Sequence, residues 1–137
     1  MKKVILLFTA LSFILMGCSK EESTSSSSSE SSSTTQSTTE ANLNVVDIDS
    51  NPKAGYTVMM FLEKPSLNEP LPEIQMQVIS NAEGLARFDL KDYITGPTTL
   101  YFEAFTVDGN NYIWESVTHP VKTIDVGTKW TTSIIVD

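Results

Sequence analysis

The sequence predicts a single all-β domain, a seven- or eight-stranded antiparallel β-sandwich, and three observations predict it. Hydrophobic residues from Leu43 onward recur at every second position rather than at helical spacing. Turn residues interrupt that alternation at short, regular intervals, as in small sandwiches. The 97 residues from Ala41 to Asp137 are the length of one domain.

Each element follows from this alternation. Residues 43–49, LNVVDID, make the first strand, and Asn51-Pro52 ends it. Residues 56–63, YTVMMFLE, place Val58, Met60 and Leu62 inward against Thr57 and Glu63. The span Pro65 to Pro72 reads as a turn region before residues 73–80, EIQMQVIS. There Ile74, Met76 and Val78 point inward, and Gln75 and Gln77 face water. Asn81-Ala82-Glu83-Gly84 turns the chain into residues 85–90, and DLKDYI, residues 89–94, invites a helical turn. After Gly96-Pro97, residues 98–106, TTLYFEAFT, set Leu100, Phe102 and Ala104 inside and leave Tyr101 and Glu103 on the surface. Asp108-Gly109-Asn110 leads to residues 111–117, then 121–126. After Gly127, residues 129–137 put Ile134 and Val136 inside, opposite Ser133 and Asp137. Some 15 to 20 inward side chains, at about 1.5–3 kcal/mol each, suffice for a domain without staples.

The residues before this domain divide in two. Met1-Lys2-Lys3 and the apolar run Val4 to Met16 form a charged start and a hydrophobic segment, the pattern of a secretory signal, so residues 1–17 are excluded from the fold. Residues 18–40 hold the only cysteine, Cys18, followed by 11 serines, 5 threonines, 4 glutamates, one lysine and one glutamine. Such a segment buries nothing to offset its ordering entropy and is expected to be a disordered linker. Its reach as a coil is about 25 Å.

Leu15-Met16-Gly17-Cys18 resembles the lipobox of bacterial lipoproteins. The resemblance implies cleavage between Gly17 and Cys18, a diacylglycerol on the Cys18 sulfur, and a palmitate-type anchor. It places the chain on the extracellular face of the cell membrane, most naturally of a Gram-positive organism. Two acyl chains hold a protein on a bilayer where one would be marginal. With Cys18 consumed, neither disulfides nor thiolate chemistry are open to the domain.

Removing residues 1–17 leaves seven basic and seventeen acidic residues, a balance of −10. Nucleic-acid partners are excluded, because they require cations to neutralise phosphates. No cofactor motif is present.

VVDIDSNPKAGYTVMMF, ISNAEGLARFDL and GPTTLYFEAFTVDGNNY are together similar to the prealbumin-like sandwiches: transthyretin, carboxypeptidase regulatory-like domains and collagen-adhesin B-type repeats. That resemblance would supply an isopeptide bond assisted by Glu103, with Asp137 as acceptor. The lysine position, however, is Asp47. The hydroxyisourate hydrolases of similar fold need more than one histidine, and His119 is the only one.

The chain is therefore expected to be no enzyme. A small hydrolase would require a pocket holding His119 beside a carboxylate. DIDSN, residues 47–51, echoes a calcium loop but has Pro52 where glycine belongs; no metal site is expected, although a weak calcium site with Asp108-Gly109-Asn110 stays open beside the reading of two polar turns. Tyr101, Tyr112, Trp114 and Trp130 are the candidate ligand-binding residues, with one of the two tryptophans expected in the core. The expected function is a surface lipoprotein binding an extracellular protein or cell-wall ligand. The alternative is an immunity or inhibitor lipoprotein that captures a toxin or enzyme.

Overall fold

The computed structural model describes residues 38–137, so the expected signal, Cys18 and most of the expected linker lie outside the described residues. Among the described residues, eight strands form two sheets. They are β1 (Glu40–Val46), β2 (Thr57–Phe61), β3 (Ile74–Ile79), β4 (Leu85–Asp89), β5 (Thr98–Asp108), β6 (Asn111–Trp114), β7 (Val121–Ile124) and β8 (Lys129–Ile135). A three-stranded sheet runs β4-β1-β8, and a five-stranded sheet runs β3-β2-β5-β6, with β7 continuing the β6 edge along the first half of β5. The predicted all-β sandwich is what forms. One pair departs from the antiparallel expectation: β1 and β8 are parallel, in register from Glu40↔Lys129 to Val46↔Ile135.

The alternation does the work predicted of it. Ala41, Leu43 and Val45 from β1, Ala86 and Phe88 from β4, and Ile134 and Val136 meet Val58, Met60, Leu100, Phe102 and Ala104 in one buried core. Phe102 sits at its centre, 5.3 Å from the Phe88 ring and 5.8 Å from Trp130. DLKDYI makes the expected single turn, with Ile94 N–H donating to the Leu90 carbonyl.

Three faces differ from the expectation. A bulge between Met60 and Phe61 shifts the β3 register, so Phe61 pairs with Ile74 while Met60 pairs with Met76. Ile74 therefore turns outward to 37% exposure, and Gln75 turns to accept a hydrogen bond from the Tyr93 hydroxyl at 3.0 Å. Leu62 lies just past the end of β2 and is exposed. Glu103, expected on the surface, is only 3% exposed.

The reason for that last difference is a second layer. Every residue of β2 is buried, as are Phe102 to Phe105 of β5, because both faces of the sheet centre are covered. One face meets the main core. Over the other lies the segment 62–73, whose Leu71 packs with Met59, Phe61, Phe105, Tyr101 and Trp114 in a smaller cluster.

Residues 115–118 close one side of the sandwich. Ser116 Oγ takes the place of a backbone partner for the Ala104 N–H, while Val117 N–H donates to Ile135 O and Thr118 Oγ1 accepts from Ile135 N–H. The edge strand is thereby broken into β6 and β7, and His119 emerges between them on the outer face. Its neighbour Pro120 returns to the ladder through a carbonyl that accepts from Phe102 N–H.

Candidate functional site

The site is the cavity between segment 62–73 and the outer face of the five-stranded sheet. It has a volume of about 360 Å³ and is lined by Lys64, Pro65, Ser66 and Leu67 above, with Glu103, Trp114 and His119 below. That size falls in the range of small-ligand pockets. β5 supplies Glu103 by simple parity, since Tyr101, Glu103 and Phe105 share the face opposite Phe102. β6 supplies Trp114, which pairs with Phe105 in register and lies 5.5 Å from its ring.

Glu103 and His119 form the polar centre. His119 Nδ1 lies 3.0 Å and 2.9 Å from the two Glu103 carboxylate oxygens. An ionised carboxylate only accepts, so the contact places the proton on Nδ1 and leaves Nε2, which makes no hydrogen bond among the described residues. The glutamate side chain is 4% exposed and the histidine 52%, so the imidazole is a half-open cover on a buried acid. Burial pushes the Glu103 carboxyl above its ordinary range; His119, Ser116 and Trp114 pull it down without offsetting the burial. The Trp114 Nε1–H is itself buried with no hydrogen-bond partner of good geometry.

The sign of that shift gives a testable result. A carboxyl that is harder to ionise folded than unfolded costs stability as pH rises from its ordinary value of 4.5 through the folded value. Glu103→Gln keeps an acceptor for Nδ1 and cannot ionise. Its stability relative to the parent is therefore expected to improve as pH rises from about 4 to 7. Thermal melts across that window check it; a constant difference would show that Glu103 keeps its ordinary affinity for protons.

The candidate aromatic residues divide. Tyr101, Tyr112 and Trp114 share the outer face, with Tyr112 at 45% exposure and 6.1 Å from Phe105. Trp130 does not join them. It packs against the main core beside Phe102, on the same parity as Ile134 and Val136, so it is not part of an outer contact surface. Glu103 and His119 were missed as a pair because nothing local in the sequence announces a contact made across the β6–β7 break. The one available signal was an acid flanked by apolar and aromatic residues in LYFEAF.

Neither chemistry suggested by the prealbumin-like resemblance assembles. Glu103 meets a histidine rather than a lysine, and exposed Asp137 sits near Tyr56 and Glu115. The Asp47 carboxylate is already occupied. Its Oδ1 accepts from the Asn51 and Asp49 backbone N–H groups and its Oδ2 lies 3.0 Å from Lys53 Nζ; the Asn51 backbone N–H above all, with Lys53 and the Asn51 side chain, brings its pKa down to about 2. This is the polar-turn arrangement. No group of three or more His, Cys, Asp or Glu side chains among the described residues is placed to hold a metal ion, and no helix among them is long and apolar enough to cross a membrane. No protein-family model matches the chain, and no curated protein matches it closely enough to count as a relative.

Proposed function

We propose that the protein is a surface lipoprotein, anchored through Cys18 on the extracellular face of a Gram-positive membrane, whose prealbumin-like sandwich binds a protein or cell-wall ligand without chemistry of its own. The observation that carries the binding reading is the outer face of the five-stranded sheet. Tyr101, Tyr112 and Trp114 lie on that face, with Trp114 lining an open cavity, and exposed Ile74, Ile79 and Val121 add apolar area to the same face. Aromatic side chains offer large contact area at small entropy cost, so such a cluster is where binding energy concentrates.

The capture of a toxin or enzyme is the alternative within the same reading, and a basic partner would favour it. A hydrolytic reading has one observation on its side, the His119–Glu103 contact in a pocket. It lacks the next: Ser66, the hydroxyl lining that cavity, makes no hydrogen bond to His119.

The test has two arms. Cells fed an alkynyl fatty acid are expected to label the parent chain and not Cys18→Ala. Purified cell-wall sacculi or extracellular protein should retain the parent at least about tenfold better than Trp114→Ala or Tyr112→Ala, the cost of losing one strong contact residue. Equal retention by all three would remove the outer face as the binding surface.

A further inference from the structure

We propose that the cavity receives an arginine side chain of a basic partner protein, whose guanidinium meets Glu103 at the floor and the Trp114 indole at the wall. The inference rests on the outer face being the binding surface and adds the chemistry of what enters it.

Four observations carry it. First, Glu103 is a buried carboxylate at the bottom of an open cavity; its well-formed hydrogen-bond contact is the His119 Nδ1–H shared between both oxygens, while the Ser116 hydroxyl and Trp114 Nε1–H act on it without meeting hydrogen-bond geometry. A carboxylate offers about four acceptor positions, so capacity for a forked donor remains. A guanidinium is the side chain built to fill it, being planar, permanently charged and less strongly hydrated than an ammonium.

Second, Trp114 lines the same cavity. Its ring makes a T-shaped pair with the His119 ring, 6.0 Å away at 83°, and an indole is the aromatic side chain that attracts a cation best. Third, Pro65 and Leu67 on the covering segment give apolar surface for the methylene stem that an arginine brings with it. Fourth, the chain carries a formal charge of −8, which raises the encounter rate with a basic partner and disfavours an acidic one.

One like charge stands in the lining. Lys64 lies on the exposed covering segment, with a flexible stem that lets its ammonium retreat to water when a second cation arrives. A sugar hydroxyl can donate to the carboxylate, but a cation adds the attraction of opposite charges, which is largest where water is excluded.

The test uses the full 137-residue chain in detergent and two small probes of nearly equal shape, N-acetylarginine amide and N-acetylcitrulline amide. The Trp114 Nε1–H and His119 ring resonances are followed by NMR as each is added. Saturable shifts with the arginine probe, at least tenfold stronger binding than citrulline, and loss of the difference in Glu103→Gln are expected. Equal response to both probes, or arginine shifts that persist in Glu103→Gln, would overturn the proposal. So would an N-acetyllysine amide that binds as well, since the fork would then have no role. The probe comparison on the parent chain stands even where Glu103→Gln folds poorly. Failure of all three probes, with retention on sacculi still dependent on Trp114, would reject the guanidinium and leave the outer face as a binding surface.

Discussion

Phe102→Ala is expected to lower the stability of the domain by about 3–5 kcal/mol, the cost of deleting a large ring from a core that cannot collapse around the hole. Phe102 is fully buried on the central strand of the larger sheet, and its ring is edge-on to Phe88 and tilted against Trp130. It therefore joins β5 to both β4 and β8 of the opposite sheet. Its backbone pairs with Met60 and donates its N–H to the Pro120 carbonyl, so the strand stays in place and the cavity remains. Small domains hold about 5–15 kcal/mol in all. Urea unfolding should show a midpoint shifted down with an unchanged slope, and Trp130 emission should move to the red in the folded baseline as water reaches it. A loss below about 1 kcal/mol would mean that the two sheets close over the space, contrary to the packing described.

Gly84→Ala is expected to cost on the order of 3 kcal/mol, and for a reason unrelated to burial of hydrophobic area. Gly84 has φ of +76°, where an L side chain is strained by about 1–2 kcal/mol. A Cβ there would also stand 2.5 Å from the Val45 carbonyl oxygen and 3.1 Å from the Lys53 nitrogen. Neither atom can yield cheaply. Val45 N–H donates to Gly84 O at 2.8 Å, and Val45 O accepts from Lys53 N–H at 2.9 Å, so the three residues hold one another. Gly109, with φ of +60° and nothing within 4 Å of its would-be Cβ, separates the two contributions. Gly109→Ala should lose only the conformational part. If both alanine variants melt together, the contact at Val45 is not a constraint on the fold.

Periodicity carries the architecture because a residue's parity on a strand is fixed by the backbone, which puts Phe102, Leu100 and Ile134 inward from the alternation alone. Trp130 is legible in the same way, two steps of two from Ile134. Parity fails where the ladder itself changes count, as at the Gln75 bulge that sends Ile74 outward. It is also silent about what lies over a face. Glu103 was put correctly on the side opposite Phe102, but that side is roofed by the proline-containing segment 62–73, which in sequence is only a turn region. The His119 contact depends on the same tertiary arrangement, which brings residue 119 beside residue 103 through a broken edge.

The position of β1 has a mechanical consequence. The chain enters the domain at its first residue and runs at once between β4 and β8, paired with both along its length. A pull on residue 38 along that axis loads the two ladders in shear, so that many hydrogen bonds must give together, whereas an edge hairpin entered at its tip would peel open bond by bond. Were the domain moored from its N-terminal side, as proposed, drag on a bound partner would be borne by the strongest grip the smaller sheet has to offer.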